Sequence, residues 1–287
     1  MPDAWLRITV TSPSDELVAL LAEGLLASGG SAVEEQGSEL STYLPVDGSA
    51  DARAAEVASA LRGVAGEDIT VRWEIVPEED WLALWRSGLR PRRIGPRLIV
   101  APTWTTPVTG AGDVLIRIDP QMAFGTGEHA STRGVLRLLQ RLMLGNVRVL
   151  DVGTGSAILA IAAARLGARQ VVAVDNDASV IPNAQQNVLA NSVSDRVTVV
   201  HGFVDEPFLK AYGGGAFDGI TANVLSGMLL SLLPAFHHTL ETAGWLILAG
   251  ILEPEADTIR AAATEHGFII EAHEVEEQWW SVLLRRI

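Results

Sequence analysis

Hydrophobic and polar positions in the first quarter of the chain alternate in some segments as in a β-strand and recur in others with the period of an α-helix. Residues 5–11 (WLRITVT) alternate like a strand. After Ser14, the predicted helix cap, leucines line one face of a helix that ends near Gly29 and Gly30. A second helix is predicted over 51–62, and further strands over 32–36, 39–45 and 69–76. The order β-α-β-β-α-β predicts a small ferredoxin-like α+β domain over residues 1–76.

From Val114 onward, apolar strands alternate with helical segments. Strands are predicted over 148–152, 170–175, 196–201, 217–222 and 244–249, helices over 156–167, 178–191, 226–240 and 253–266, and a closing β pair over 268–275 and 279–286. This alternation predicts an α/β domain over residues 113–287, Rossmann-like, with a mostly parallel sheet and helices on both faces.

The stretch between the two predicted domains is rich in residues that break regular structure. Residues 77–112 hold five prolines and four glycines around Trp81, Trp85 and Trp104. We interpret them as an aromatic-rich linker, with a short helix over about 78–88 that packs its aromatic side chains on a neighbouring domain.

Composition excludes several classes of protein. With 287 residues, 48% of them hydrophobic, the chain is long enough to form a sizeable core, and its lack of cysteine excludes a disulfide framework, a zinc-thiolate site and a cysteine nucleophile. No apolar run reaches the roughly 18 residues of a membrane span, and the first ten residues lack a secretory pattern. We therefore expect a cytoplasmic protein that does not act at a membrane.

The net charge of −14 is unevenly distributed. Residues 1–80 hold 16 acidic residues against four arginines, whereas residues 81–287 hold 19 acidic against 17 basic residues. An acidic field repels phosphate backbones and attracts basic partners, so we expect a basic protein rather than free nucleic acid as the substrate. This assigns substrate recognition to residues 1–76. The alternative is that the acidic residues only keep the protein soluble.

A glycine-rich turn follows the predicted strand at 148–152. Asp151, Gly153 and Gly155 precede Ala157 and an apolar helix, and such glycines let the backbone approach a ligand at the carboxyl edge of a parallel sheet. A nicotinamide-binding fingerprint needs a small residue where this chain has Ile158. The remaining pattern is that of class I methyltransferases that use S-adenosylmethionine (AdoMet), with Ala157 in the position of a third glycine.

Asp175 ends the next predicted strand, twenty-four residues after Asp151. A carboxylate there can accept hydrogen bonds from both hydroxyls of a ribose, although it can also act as a turn cap. We favour ribose binding because of the upstream glycines, and expect Asp177 to cap the helix at 178–191.

Two further segments carry a resemblance to a known family. They are residues 119–132 (DPQMAFGTGEHAST) and 217–225 (FDGITANVL), supported by Trp104, Gly250 and Trp280. The chain resembles the ribosomal protein L11 methyltransferase (PrmA-type) family over residues 79–287 by motif, and over 1–76 by fold only. The FGTGxH segment is highly specific, whereas the glycine turn alone is not.

The resemblance implies a set of AdoMet-binding residues that agrees with the chemistry of their side chains. These are Phe124, Gly125, Thr126, Gly127, Thr132, Asp151, Gly153, Gly155, Asp175 and Asn223. The Gly-Thr-Gly turn offers amide donors for the methionine carboxylate. Asn223 offers an amide oxygen to the AdoMet ammonium or to the incoming amine, which makes it the expected catalytic residue. We expect His129 to order its loop rather than act as a base, and Trp279 and Trp280 to gate the pocket or fill the core.

The resemblance implies repeated methylation of lysine side chains and of the α-amine of a large-subunit ribosomal protein, and we expect the enzyme to be a monomer. No metal is required because the sulfonium is already an activated donor, but a lysine, with a pKa of about 10.4, must first lose its proton. One rival is a nucleic-acid amine methyltransferase, which typically carries Pro-Pro and an aromatic residue where Asn223 is followed by Val224. Two more rivals are a methyltransferase that acts on a different protein and a non-catalytic scaffold of the same fold.

Overall fold

The computed structural model describes the chain in two compact units, Met1–Leu89 and Arg90–Ile287. The described residues are 4–12, 14–30, 33–36, 38–46, 49–66, 68–77, 88–119, 125–212 and 216–287. Trp81, Trp85 and Phe124 lie outside them, as does nearly all of the helix predicted over 78–88.

The first unit has the predicted order of elements. It comprises β1 (Ala4–Thr11), α1 (Asp15–Ala27), β2 (Glu34–Gln36), β3 (Glu39–Pro45), α2 (Ala50–Ala65) and β4 (Thr70–Pro77). The antiparallel sheet has the order β2-β3-β1-β4. This is the split βαβ arrangement, so the expectation of a small ferredoxin-like domain is confirmed.

The alternation of β1 places its apolar side chains on one face. Leu6, Ile8 and Val10 are fully buried in the core of this unit, whereas Arg7 pairs with Glu74 at 3.1 Å on the other face. Such alternation is what a sheet with one covered face requires. Ser14 lies at the predicted N-cap of α1, but its hydroxyl makes no capping hydrogen bond, so that part of the prediction is wrong.

A small three-stranded sheet begins the second unit. Its strands are β5 (Arg92–Ile94), β6 (Leu98–Pro102) and β7 (Val114–Ile118), with β6 antiparallel to β5 and parallel to β7. Strands β5 and β6 fall inside the region that the sequence indicates as a linker, and every residue of β6 is buried. This part of the chain is therefore ordered structure of the second unit.

The larger sheet of the second unit has seven strands. They are β8 (Arg148–Val152), β9 (Gln170–Asp175), β10 (Val197–His201), β11 (Phe217–Asn223), β12 (Leu240–Leu252), β13 (Phe268–Glu276) and β14 (Trp279–Arg286). The order is β10-β9-β8-β11-β12-β14-β13, in which the first five strands are parallel and β14 is antiparallel to both of its neighbours. The predicted mostly parallel sheet with a closing β pair is confirmed.

Helices cover both faces of this sheet. They are α3 (Ala130–Leu139), α4 (Ile158–Arg165), α5 (Ile181–Ala190), α6 (Glu206–Tyr212), α7 (Ser226–Thr239) and α8 (Ala256–Glu265). One core joins α3, α4 and α5 to the sheet and the other joins α6, α7 and α8, so the α/β fold class is confirmed. Within the described residues, no helix is long and apolar enough to cross a membrane.

The strand order reverses direction between β8 and β11: β9 and β10 extend the sheet on one side of β8, and β11 and β12 extend it on the other. Open α/β sheets bind ligands outside the carboxyl ends of their strands at such a switch point. The turns after β8, β9 and β11 therefore form the place to look for a site.

Candidate functional site

The turn after β8 is built from glycines in the left-handed conformation. Gly153 and Gly155 have φ angles of +70° and +53°. The amides of Gly153 and Thr154 both donate to the carbonyl of Val174, at 2.9 and 3.0 Å. A Cβ added to Gly153 would lie 2.4 Å from Cγ1 of Val224, so only glycine fits there. The turn is thus packed closely against the chain that leaves β11.

Ala157 also adopts a left-handed conformation, with φ 67° and ψ 16°, at the N-cap of α4. An L-residue there costs roughly 1–2 kcal/mol relative to a helical conformation. The backbone therefore has the shape that a third glycine would accept without strain, and alanine, which is fully buried here, keeps that shape.

Asp151 lies beneath the glycine turn and is fully buried. Its two carboxylate oxygens accept hydrogen bonds from the hydroxyls of Thr154 and Thr221, each at 2.6 Å. Burial raises the pKa of Asp151 to about 6, opposed by these two hydroxyl donors. Through these two hydrogen bonds, Asp151 connects Thr154 of the glycine turn to Thr221 of β11 inside the fold, and its carboxylate does not face outward.

Asp175 stands beside the same turn at the end of β9. Its Oδ2 accepts a hydrogen bond from the amide of Gly155 at 2.8 Å, and its Oδ1 from the amide of Asp177 at 3.0 Å. A carboxylate oxygen has more than one acceptor site, so both oxygens retain capacity for ribose hydroxyls. The two amides fix the orientation of this carboxylate.

Asp177 does not cap the helix that follows, contrary to the prediction. Its Oδ1 accepts from the amide of Ser179 at 2.8 Å, and hydrogen bonds from the hydroxyl and then the amide of Ser179 lower the pKa of Asp177. Helix α5 begins only at Ile181, with Val180 at its N-cap. The carboxylate stabilises the turn between β9 and α5.

The Gly-Thr-Gly segment joins the glycine turn through one buried serine. Gly125 and Gly127 have φ angles of +96° and +86°. The hydroxyl of Ser156, fully buried, donates to the carbonyl of Gly125 at 2.5 Å. Thr126 accepts a hydrogen bond from the amide of Glu128 at 3.3 Å. The hydrogen bond from Ser156 to Gly125 thus joins the two glycine segments.

His129 is the N-cap of α3. Its Nδ1 accepts a hydrogen bond from the amide of Ser131 at 3.3 Å, and its ring contacts Trp279 edge-on, with centroids 4.6 Å apart. Burial lowers its pKa, which keeps the imidazole neutral. These contacts support the loop-ordering role over that of a base. Trp280 is buried in the core with Arg260 over its ring at 5.1 Å, whereas Trp279 is only half-buried.

Thr132 and Asn223 meet at the carboxyl end of β11. The Nδ2 of Asn223 donates to the hydroxyl of Thr132 at 3.4 Å, and Thr132 is fully buried. Because Nδ2 is engaged in this way, Oδ1 is the atom that Asn223 can offer to an amine. A Cβ at Gly250 would lie 3.2 Å from this Oδ1 and 2.5 Å from the carbonyl of Val224, so Gly250 leaves room for the asparagine turn.

Three arginines outside the sequence motifs hold α3, the helix of Thr132, in place. Arg133 pairs with Glu276 at 2.6 Å, Arg137 pairs with Glu274 at 3.0 Å, and Arg141 also pairs with Glu274. Arg133 and Arg137 lie four residues apart and therefore on one face of the helix, and Glu274 and Glu276 lie two residues apart and therefore on one face of β13, whereas Arg141 follows the end of the helix. Sequence reasoning missed these residues, although that spacing is a signal that could have found them.

Three buried asparagines on α5 form a second such set. Asn183, Asn187 and Asn191 are at most 5% exposed, and their side chains bond to the backbone of Arg117 and Asp119. Their spacing of four residues places them on one face of the helix. They were also missed, although amides at this spacing in a predicted helix are a readable signal.

The chain is similar to known proteins along its whole length. The model of the family described as ribosomal protein L11 methyltransferase (PrmA) matches residues 16–286. A ribosomal protein L11 methyltransferase from Pelobacter propionicus is 35% identical, covering 100% of this chain and 99% of its own. One from Pelotomaculum thermopropionicum is 34% identical over 98% of each chain. A crystal structure of a ribosomal protein L11 methylase from Lactobacillus delbrueckii subsp. bulgaricus is 31% identical, with a TM-score of 0.61, covering 69% of this chain and 100% of its own.

Proposed function

The chain belongs to the ribosomal protein L11 methyltransferase family, and from this premise we infer that it methylates lysine side chains and the N-terminal α-amine of ribosomal protein L11. It is a protein methyltransferase, and its methyl donor is AdoMet. The lysines and the α-amine extend what the names of its relatives state, and they are what the family resemblance of the sequence implies.

One observation carries the proposal. Two glycine turns, a carboxylate and an amide that come from distant parts of the sequence lie around the carboxyl ends of β8, β9 and β11. Ser156 links the two turns, and Gly155 links one of them to Asp175. This donor and acceptor set fits AdoMet, which presents ribose hydroxyls, a carboxylate and an ammonium. We assign the ribose to Asp175.

When bound, AdoMet supplies a methyl group that its sulfonium sulfur releases without further activation. The protein has to present an unprotonated amine to it. Asn223 accepts an N–H of the amine through Oδ1, and Thr132 fixes that orientation by holding Nδ2. Removal of water from the substrate amine lowers its pKa from the ordinary value of about 10.4, which makes the lone pair available.

We assign recognition of the substrate to residues 1–76. This region carries most of the net negative charge and forms a unit of its own, whereas the assigned AdoMet-binding residues lie in the second unit. An acidic surface favours encounter with a basic ribosomal protein and disfavours RNA. We propose that the enzyme acts as a monomer in the cytoplasm.

Mass spectrometry of purified L11, incubated with the enzyme and AdoMet, tests this function. We expect mass increments of whole methyl groups, located by peptide fragmentation on lysines and on the N-terminal residue. The Asn223→Ala variant, which retains both glycine turns and Asp175, serves as the matched control and should give far fewer increments. L11 that stays unmodified in the presence of an enzyme that binds AdoMet would refute the substrate assignment.

A further inference from the structure

Asn187 joins three segments of the second unit through a single side chain. Its Oδ1 accepts a hydrogen bond from the amide of Asp119 at 2.8 Å. Its Nδ2 donates to the carbonyl of Asp119 at 3.2 Å and to the carbonyl of Ser156 at 3.0 Å. The residue is fully buried, so these bonds replace hydration that the amide has lost.

The contact with Ser156 connects Asn187 to the glycine turn. Ser156 lies between Gly155 and Ala157, and its own hydroxyl donates to the carbonyl of Gly125. Gly155 in turn donates its amide to Asp175. A displacement of the Ser156 carbonyl would therefore move the backbone on which the Asp175 carboxylate is oriented.

We propose that Asn187 is a positioning residue for AdoMet: it holds the glycine turn in the shape that binds the cofactor, without touching the cofactor itself. This inference rests on the proposed function, since it takes the glycine turn as part of the AdoMet site. It adds a residue on α5 that lies outside the cofactor motifs.

The chain offers a matched control one helical turn away. Asn191 makes the same kind of contact with the backbone of β7: its Oδ1 accepts from the amide of Arg117 at 2.8 Å and its Nδ2 donates to the carbonyl of Arg117 at 2.6 Å. It is also buried, at 5% exposure. Its hydrogen bonds reach β7 and the helix itself, not the glycine turn. The two asparagines therefore differ in the contact with Ser156.

The test compares Asn187→Asp with Asn191→Asp in the full-length enzyme. Each change keeps the shape of the side chain but replaces the amide donor with an oxygen that faces carbonyls. We expect both to lower the unfolding free energy, measured by urea denaturation. Only Asn187→Asp should weaken AdoMet binding, by about tenfold in calorimetry, since one lost hydrogen bond is of that order.

A second readout separates positioning from general damage. In steady-state methylation, Asn187→Asp should raise the KM for AdoMet and leave kcat at saturating AdoMet within about twofold of wild type, because the amine site is unchanged. Should Asn187→Asp fail to fold, Asn187→Ser and Asn191→Ser make the same comparison.

The outcomes are distinct. An unchanged AdoMet dissociation constant in the Asn187 variant, or equal weakening in the Asn191 variant, overturns the positioning role. Failure of the wild-type enzyme to bind AdoMet instead overturns the proposed function on which the inference rests.

Discussion

Replacing Asp151 with asparagine removes a carboxylate that is completely buried beneath the glycine turn. Asparagine has the same shape, so its oxygen can accept from one threonine hydroxyl and its amino group can donate to the other. The turn should therefore retain its fold. Unlike the buried carboxyl group, the asparagine side chain does not bind or release a proton in this pH range.

The magnitude follows from the pKa of Asp151. Burial raises it from the ordinary 3.8 to about 6, a difference worth about 3 kcal/mol at 1.36 kcal/mol per unit. Between these values the folded protein binds the proton more firmly than the unfolded chain, so the unfolding free energy falls as the pH rises. The contribution of Asp151 to the unfolding free energy is fully present below pH 3.8 and is lost by about pH 6. Above pH 6 this contribution no longer changes with pH.

Urea denaturation of wild type and Asp151→Asn between pH 3.5 and 7.5 measures this pH-dependent contribution to the unfolding free energy. Other carboxyl groups titrate in both proteins, so the difference between the two unfolding free energies isolates Asp151. We expect the variant to gain about 3 kcal/mol on wild type between pH 3.8 and 6. A difference that stays constant across the range would refute the reasoning that the carboxyl group is ionised at a cost inside the fold.

Three further outcomes are expected. Asp175→Ala should weaken AdoMet binding by roughly 1.5–3 kcal/mol in calorimetry without unfolding the domain; an unchanged dissociation constant would remove Asp175 from the site. Asn223→Ala should lower kcat more than it raises the KM for AdoMet, because the amide acts on the amine; equal kcat values would end that role. A chain beginning at Glu78 should bind AdoMet but lose most methylation of L11. Methylation by the full-length enzyme should also fall as the salt concentration rises, because exposed charges are screened over about 8 Å at physiological ionic strength. Near-normal methylation by the shortened chain would return the N-terminal acidity to a role in solubility.

The elements with the strongest sequence signal agree closely with the structure. The predicted strands at 148–152 and 170–175 coincide with β8 and β9, because buried parallel strands are continuous apolar runs that stop at Gly or Asp. The three-stranded sheet was not predicted. Strand β5 has three residues, two of them arginines, and β6 lies among prolines and glycines that favour an irregular chain.

Residue types at strand ends predicted where site chemistry should lie, but not how each side chain is held. Asp151 and Asp175 look alike in sequence, as acids next to glycine or at a strand terminus. The first is enclosed by two threonine hydroxyls and the second by two backbone amides. The partners of Asn187 could not be predicted either, because its spacing from Asn183 and Asn191 indicates one helix face but not what that face packs against. Only the packing of α5 on β7 gives it backbone partners.

The arginines of α3 have a consequence for the order in which the enzyme is made. Arg133 and Arg137 of this helix, and Arg141 just beyond it, pair with Glu274 and Glu276 of β13, more than 130 residues later in the chain. During synthesis the ribosome releases the glycine turns long before that hairpin, so α3 lacks its ionic anchor until the final strands emerge. Thr132 is carried on this helix, so the ion pairs that support its position come from the part of the chain that is synthesised last.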